Sequence, residues 1–459
     1  MVIFKPHDYQ RRAIDWVMDH ERCALFLDMG LGKSVITLSA VVRLIDSCEV
    51  SRVLVVAPKK VAESTWTSEA DKWAHLACLK VSRVMGSADK RLAALDEPAD
   101  VYVIGRDNFA WLVGLYNGKL PFDMLVIDEL TSFKSPTSRR FKALRAVRHC
   151  FTRIVGLTGT PAPNGLLDLW AQLYCIDGGE RLGKFVTHYR DRYFDCHRWN
   201  NIVVRCTPRK GAEETIRGLI SDVCLSMQAS DYLTLPPLNV INVAVPLPPK
   251  VMEQYNDMER ENVLELANSP TPILADSAAA LMNKLSQMAD GVIYDENHNA
   301  IEIHREKLER LLELVEGANA QGSGVLVFYQ YRSDIPRLLE TLHSYRVAVY
   351  EGEKELKAWN TGNLDVLLAH PASTAYGLNM QHGGRYIVWL GTGWDLELYQ
   401  QANARLHRQG QQYPVTVYRL VATGTVDQQA IKALDSKCRV QQALLDGLNY
   451  LKRKYHVEG

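Results

Sequence analysis

The chain has 459 residues, which at about 150 per domain leaves room for two or three domains and a large buried core. Its hydrophobic fraction of 47% and charged fraction of 23% exclude the disordered, collagenous and membrane-embedded classes. Lys plus Arg and Asp plus Glu each total 53, so the formal charge is zero and any surface for a polyanion must be local.

The N-terminus MVIFKPHDYQRR is charged from Lys5 onward and has no apolar core, and no later apolar run approaches the ~18 residues that span a bilayer. The expectation is a soluble cytoplasmic protein without a membrane partner. Nine cysteines, at 23, 48, 78, 150, 175, 196, 206, 224 and 438, form neither a CxxC pair nor a repeating framework, which a reducing compartment explains most simply. His188, Cys196, His197 and Cys206 come nearest to a zinc site, yet their spacings match none of the usual ones.

The first half of the chain alternates short β-branched runs with amphipathic stretches. LFL before Gly30, VLVVAP at 53–58, VYVIG at 101–105, MLVID at 124–128 and RIVGLTG at 153–159 read as buried parallel strands. Continuous apolar strands separated by helical patterns imply βαβ units and a sheet covered on both faces. From about 176 to 234 the texture turns aromatic and charged, and is read as a helical insertion. Paired prolines at 236–237 and 248–249 flank NVINVAV, which alternates like a strand opening a second lobe. The boundary therefore falls near Leu235, with lobes over 1–234 and 235–459. A helical stretch runs from Lys250 to Asn268, and the strand rhythm returns in VLVFYQ at 325–330, VAVYEG at 347–352, DVLLAH at 365–370, YIVWLG at 386–391 and VTVYRLV at 415–421. The tail from Asp427 to Leu451 reads as a helix. The predicted class is α/β, in two lobes.

The sharpest local signal is DMGLGKS, which follows the strand-like CALFL and precedes the helical VITLSAVVRLI. A phosphate cradle needs glycines that let backbone N–H groups point inward and a helix N-terminus that favours anions. It also needs a lysine for the β/γ-phosphates and a hydroxyl for Mg2+. Asp28, Met29, Gly30, Leu31, Gly32, Lys33 and Ser34 form that segment. Leu27 stands where the full GxxxxGK[ST] pattern has its first glycine, so the loop alone is also readable as an ordinary glycine turn. VIDEL at 126–130 adds two adjacent carboxylates at a strand's end, Asp128 for Mg2+ and Glu129 for the attacking water. Alone these would read as a solvated strand terminus; coupled to the glycine loop they read as half of an ATP site. LTGTPAPN at 157–164 puts Thr158 and Thr160 in a tight turn, suited to relaying the state of the γ-phosphate. In QQANARLHRQGQ at 400–411, Arg405 and Arg408 sit three apart on one predicted helical face, suited to clamping developing phosphate charge. A basic surface stripe is the alternative.

With these residues in order, the chain resembles the superfamily 2 helicase-like motors, and within them the SWI/SNF family of DNA-translocating ATPases. HDYQRRA at 7–13 resembles the adenine-recognising segment, with Gln10, and DMGLGKS is close to the characteristic DEMGLGKT. APKKVAESTWTSEADKW at 57–73 matches the next motif in its Pro and two Trp. DELTSFKSPTSRRFKALR resembles the acidic box and its sequel, with Leu130 and Thr131 in place of the usual alanine or glycine and histidine. LTGTPAPN, GKFVTHYRDRYF, LPP at 235–237, STAYGLNMQ at 373–381, QANARLHRQGQ and YPVTVYRLVATGTVDQQ follow in family order. The family's arginine-rich segment before LPP reads CLSMQAS here, and the expectation is a bare motor without chromatin-reading domains.

The resemblance implies two RecA-like lobes that bind ATP and Mg2+. Gln10 and the glycine loop hold the nucleotide, Gly377, Asn379 and Gln401 add contacts, and Arg405 and Arg408 close over the γ-phosphate. It further implies nucleic-acid contacts at Lys59, Lys60, Ser373, Thr374 and Trp394, with Thr158 and Thr160 grouped among them. The expected function is an ATP-dependent motor that translocates on or remodels double-stranded DNA, as a monomer, in a bacterial or virus-infected cell. A strand-separating DNA or RNA helicase and an ATP-gated binding switch with little turnover remain the alternatives.

Overall fold

In the computed structural model, the apolar runs become two all-parallel sheets, one in each of two units, Met1–Leu233 and Thr234–Gly459. The structure describes every residue except 160, 162–164, 200–201, 234, 268–274, 296–298, 375–377, 437–439 and 456–459.

The first unit contains β1 (Arg22–Leu27), β2 (Val53–Ala57), β3 (Val81–Val84), β4 (Val101–Gly105), β5 (Met124–Asp128) and β6 (Arg153–Thr158). A hairpin of β7 (Phe194–Trp199) and β8 (Ile202–Pro208) follows, and then β9 (Cys224–Met227). Seven of these form one sheet in the order β3-β4-β2-β5-β6-β1-β9. The central strands β1, β2, β4, β5 and β6 are buried on nearly every residue, as parallel strands covered by helices on both faces must be. This order sets β5, β6 and β1 side by side. The acids that end β5, the threonine that ends β6 and the glycine loop that follows β1 therefore emerge on one edge, where α/β sheets bind their ligands.

The second unit contains β10 (Leu238–Val245), the antiparallel pair β11 (Val292–Tyr294) and β12 (Ala300–Glu302), then β13 (Gly324–Phe328), β14 (Val347–Val349), β15 (Val366–Ala369), β16 (Gly384–Trp389) and β17 (Val415–Ala422). Its main sheet runs β10-β17-β16-β13-β15-β14. Lys307, fully buried, pairs with Asp290 at 2.5 Å and Asp427 at 2.6 Å, a charge triad that ties three helix termini together beneath this sheet.

Two expectations change. The segment 176–234 is not a helical insertion alone: it carries the β7–β8 hairpin, and β9 is an edge strand of the sheet itself, paired with β1. The tail is two helices, Asp427–Asp435 and Val440–Lys454, rather than one. The imagined zinc cluster is also set aside. Cys196 and Cys206, directly opposed across β7 and β8, form a disulfide, contrary to the cysteine pattern expected of a reducing compartment, and no group of three or more metal-ligating side chains occurs among the described residues.

Candidate active site

The first half-site is built on the ends of β1, β5 and β6. Gly30 and Gly32 adopt φ of 87° and 83°, a left-handed turn that side-chain-bearing residues rarely adopt and that lets the loop fold over into the helix Lys33–Asp46. A Cβ on Gly32 would also lie 2.9 Å from the Gln10 amide. Gln10 is buried, accepts the His7 N–H at 3.0 Å and donates to the Leu31 carbonyl at 3.4 Å, so the candidate adenine-recognising segment and the phosphate loop are joined by this one side chain. Lys33 folds its ammonium onto the Leu27 carbonyl at 2.7 Å and the Asp28 carbonyl at 3.4 Å, at the mouth of β1. The Asp28 carboxylate faces away from the loop and accepts the Ala229 N–H at 2.9 Å, which anchors the loop to the chain beyond β9.

The acids end β5. Asp128 accepts the Trp66 indole N–H at 3.0 Å, while burial and the neighbouring Glu129 raise its carboxyl to about 6, against the lowering pull of Trp66 and Lys33. Glu129 sits at φ 61°, ψ 66°, a conformation that costs a non-glycine residue on the order of 1–2 kcal/mol and turns its carboxylate off the strand axis. That carboxylate is held by two hydroxyls, Thr131 at 3.1 Å and Thr158 at 3.3 Å. Thr131, at the position where the resembled motif carries histidine, thus restrains Glu129 directly.

In the second unit the helix Leu396–Asn403 ends before the arginines. Arg405 and Arg408 lie in successive turns beyond it, where the N–H groups of 405 and 406 bond three residues back. They do not share a helical face, and they converge instead by side-chain reach. Arg405 donates to Gln401 O at 2.8 Å and Leu378 O at 3.3 Å, and Arg408 donates to the same Leu378 O at 2.8 Å. Arg405 is only 5% exposed, and Gln401 is also buried, its amide on Glu397 at 3.1 Å. Asn379 accepts from Asn360 through its carbonyl at 2.8 Å. Gly377 and Thr160 lie outside the described residues.

A family profile described as the SNF2-related domain matches residues 9–290, more than half of the chain. Protein p41 of Acyrthosiphon pisum secondary endosymbiont phage 1 is 38% identical over 98% of this chain and 99% of its own length. The chain belongs to the SNF2-related, SWI/SNF-type family of superfamily 2 ATPases. An uncharacterized ATP-dependent helicase of Mycoplasma pneumoniae is 24% identical over 96% of this chain, which spans 42% of that protein's length. The Sulfolobus solfataricus SWI2/SNF2 ATPase core, solved in complex with dsDNA, is 20% identical over all of both chains, with a TM-score of 0.45. As a member of this family the chain is a nucleic-acid-dependent ATPase.

For an SNF2-related ATPase the expected polymer contacts are unevenly placed. Lys59 is exposed and 3.9 Å from Glu63, and Lys60 is half-buried. Ser373 donates to His370 O at 2.7 Å and keeps part of its surface. Thr374 is fully buried and donates to Pro371 O at 3.0 Å, so its hydroxyl faces the lobe interior and not a polymer. Thr158 is likewise buried and belongs to the acid site through Glu129. Trp394 is packed beside Met282 in an apolar cluster. Three positioning residues escaped the sequence reading. Trp66 and Thr131 hold the two acids. Gln411 donates to Gln381 O and Gly384 O, each at 3.2 Å, and accepts the N–H groups of Gln412 and Tyr413, which fixes the end of the arginine segment. The closing QGQ of that segment was the signal available.

No helix among the described residues is long and apolar enough to cross a membrane.

Proposed function

We propose that this SNF2-related ATPase is a motor that hydrolyses ATP to translocate on or remodel double-stranded DNA, acting as a monomer in the cytoplasm of a bacterial or virus-infected cell. The observation that carries this reading is the acid site itself. Glu129 is restrained by Thr131 and Thr158 on the edge where Lys33 and the glycine loop also emerge, the arrangement needed to aim a water at a terminal phosphate.

In the proposed cycle the loop N–H groups, Lys33 and Ser34 take the phosphates, and Gln10 takes the base. Asp128 and Ser34 would hold Mg2+. Burial first, and then the neighbouring Glu129, make ionisation of Asp128 costly and raise its carboxyl to about 6, and a divalent cation beside the two acids would offset that cost. When bound, the cation neutralises phosphate charge. Glu129 orients the attacking water, and Thr158 holds Glu129 in that orientation. Arg405 and Arg408 then exchange the Leu378 carbonyl for the developing charge on the γ-phosphate when the lobes close. Lys59, Lys60 and Ser373 contact the DNA backbone, and cycles of closure move one lobe relative to the other along it.

The test is steady-state ATP hydrolysis with no polymer, single-stranded DNA, duplex DNA or RNA, with strand displacement followed in parallel. Strong stimulation by duplex DNA without displacement is the expected result. Equal rates under all four conditions overturn the motor reading.

A further inference from the structure

Between residues 184 and 210 the chain carries seven Lys or Arg and two Asp, a net charge of +5 in a protein whose formal charge is zero. No role has yet been found for this segment. It comprises the helix Val186–Tyr193 and the hairpin of β7 and β8, closed across its two strands by the Cys196–Cys206 disulfide.

The topology fixes where the segment emerges. The helix Leu169–Asp177 descends from the end of β6 to the opposite edge, where Ile176 O receives the Arg148 guanidinium at 3.0 Å just before β6 begins. The helix Val186–Tyr193 climbs back, because the Tyr189 hydroxyl donates to Leu166 O at 2.7 Å in the loop that follows β6. The hairpin grows directly from that helix, and its return is sealed by the Arg209 N–H on Tyr193 O at 2.9 Å. The helix Ala212–Ile220 then descends again to the start of β9, which runs parallel to β1. The base of the hairpin thus stands on the same edge of the first lobe as the phosphate loop and the acids. Tyr189, Tyr193, Phe194 and Cys206 root it in the core, so its placement is rigid. Arg192, Arg209 and Lys210 are exposed at this base, whereas Lys184 and the 61% exposed Phe185 precede the helix, at its other end. Asp195 binds Arg209 at 3.0 Å and Glu213 binds Arg217 at 2.7 Å, whereas Arg192 and Lys210 make no ion pair among the described residues.

We propose that the hairpin base, centred on Arg192 and Lys210, is a second backbone-binding surface that grips the phosphates of duplex DNA on the first lobe. The proposal rests on the reading of the chain as a DNA motor. A surface with concentrated positive charge gains affinity by releasing counterions from the duplex, and this gain carries no sequence preference. In a neutral protein such a surface supplies the purchase that the overall charge does not.

The test is binding of a fluorescent DNA duplex by the full chain, followed by anisotropy over a series of salt concentrations. Replacing Arg192→Gln and Lys210→Gln together is expected to weaken binding about fivefold or more near 0.1 M salt. The slope of log affinity against log salt should become shallower by up to about 2. Asp195→Asn, which releases Arg209, is expected to act in the opposite direction, with tighter binding and a slope steeper by up to about 1. The thermal midpoint of each variant reports folding, and Asp195→Asn alone decides the matter if the double variant does not fold. Wild-type affinity and slope in both variants overturn the proposal while leaving the motor reading intact. A wild-type chain that binds no duplex at any salt overturns both.

Discussion

The two halves of the proposed ATP site store their charges differently. In the first lobe Lys33, Asp128 and Glu129 stand at open strand ends, restrained by Leu27 O, Trp66 and two threonine hydroxyls. Burial and the neighbouring Glu129 hold the Asp128 carboxyl up at about 6, and a bound cation would relieve that stress. In the second lobe the guanidiniums of Arg405 and Arg408 are already satisfied by the carbonyls of Gln401 and Leu378. One half is prepared for its ligand, whereas the other must give up internal bonds to reach it. The lesson is that residues of one catalytic motif, here two arginines three positions apart, can carry different shares of folding and catalysis.

The largest effect that sharpens this contrast concerns those arginines. Arg408→Ala is expected to slow duplex-stimulated hydrolysis by about tenfold or more with little change in thermal midpoint, because Arg408 is the less buried of the two. Arg405→Ala is expected to slow hydrolysis similarly, with nucleotide binding kept, and also to lower stability by about 1–3 kcal/mol, since it empties a buried site and removes the guanidinium from the buried Gln401 carbonyl. Parallel ATPase and melting measurements check the pair. Identical stability losses in the two variants would erase the distinction.

The smaller effect tests the stress on Asp128. Its folded-state carboxyl is raised to about 6, so the protonated form stabilises the nucleotide-free protein, and that contribution is lost as the pH rises through about 6. Asp128→Asn is therefore expected to stabilise the nucleotide-free chain by about 1–3 kcal/mol at pH 8 while abolishing hydrolysis. The gain should shrink as the pH falls below about 6. Melting curves across this range check it, and a gain that does not depend on pH would show that Asp128 carries no such stress.

Much of this was legible in the sequence because it follows from local rules. Buried parallel strands are unbroken apolar runs, and VLVVA, VYVIG, MLVID and VLVF all became strands where expected. The acids and the glycine loop were legible because their chemistry demands those residue types at a strand's end. What escaped depends on tertiary context. β3 (VSRV) and β9 (CLSM) are short strands near the sheet's edges with polar residues facing out, so they lack the apolar run. The hairpin of β7 and β8 is recognised by a disulfide between cysteines ten residues apart that no standard spacing announces. Thr158 and Thr374 look like surface hydroxyls in the sequence, and only the packing shows them turned inward. The helix that was to present the arginines stops at Asn403, because the chain tightens into successive turns there, and Gly410 with φ 97° continues the departure from helix.

The central claim is that one ATP is shared between the first lobe's cradle and the second lobe's arginines. It is tested most directly by photo-crosslinking with an ATP analogue that carries its reactive group on the γ-phosphate, in the presence of duplex DNA, with adducts mapped by mass spectrometry. The account predicts adducts both in the segment around Lys33 and in the segment from Arg405 to Arg408, and the loss of both in Lys33→Ala. Adducts confined to the first lobe, or second-lobe adducts that survive Lys33→Ala, would contradict it.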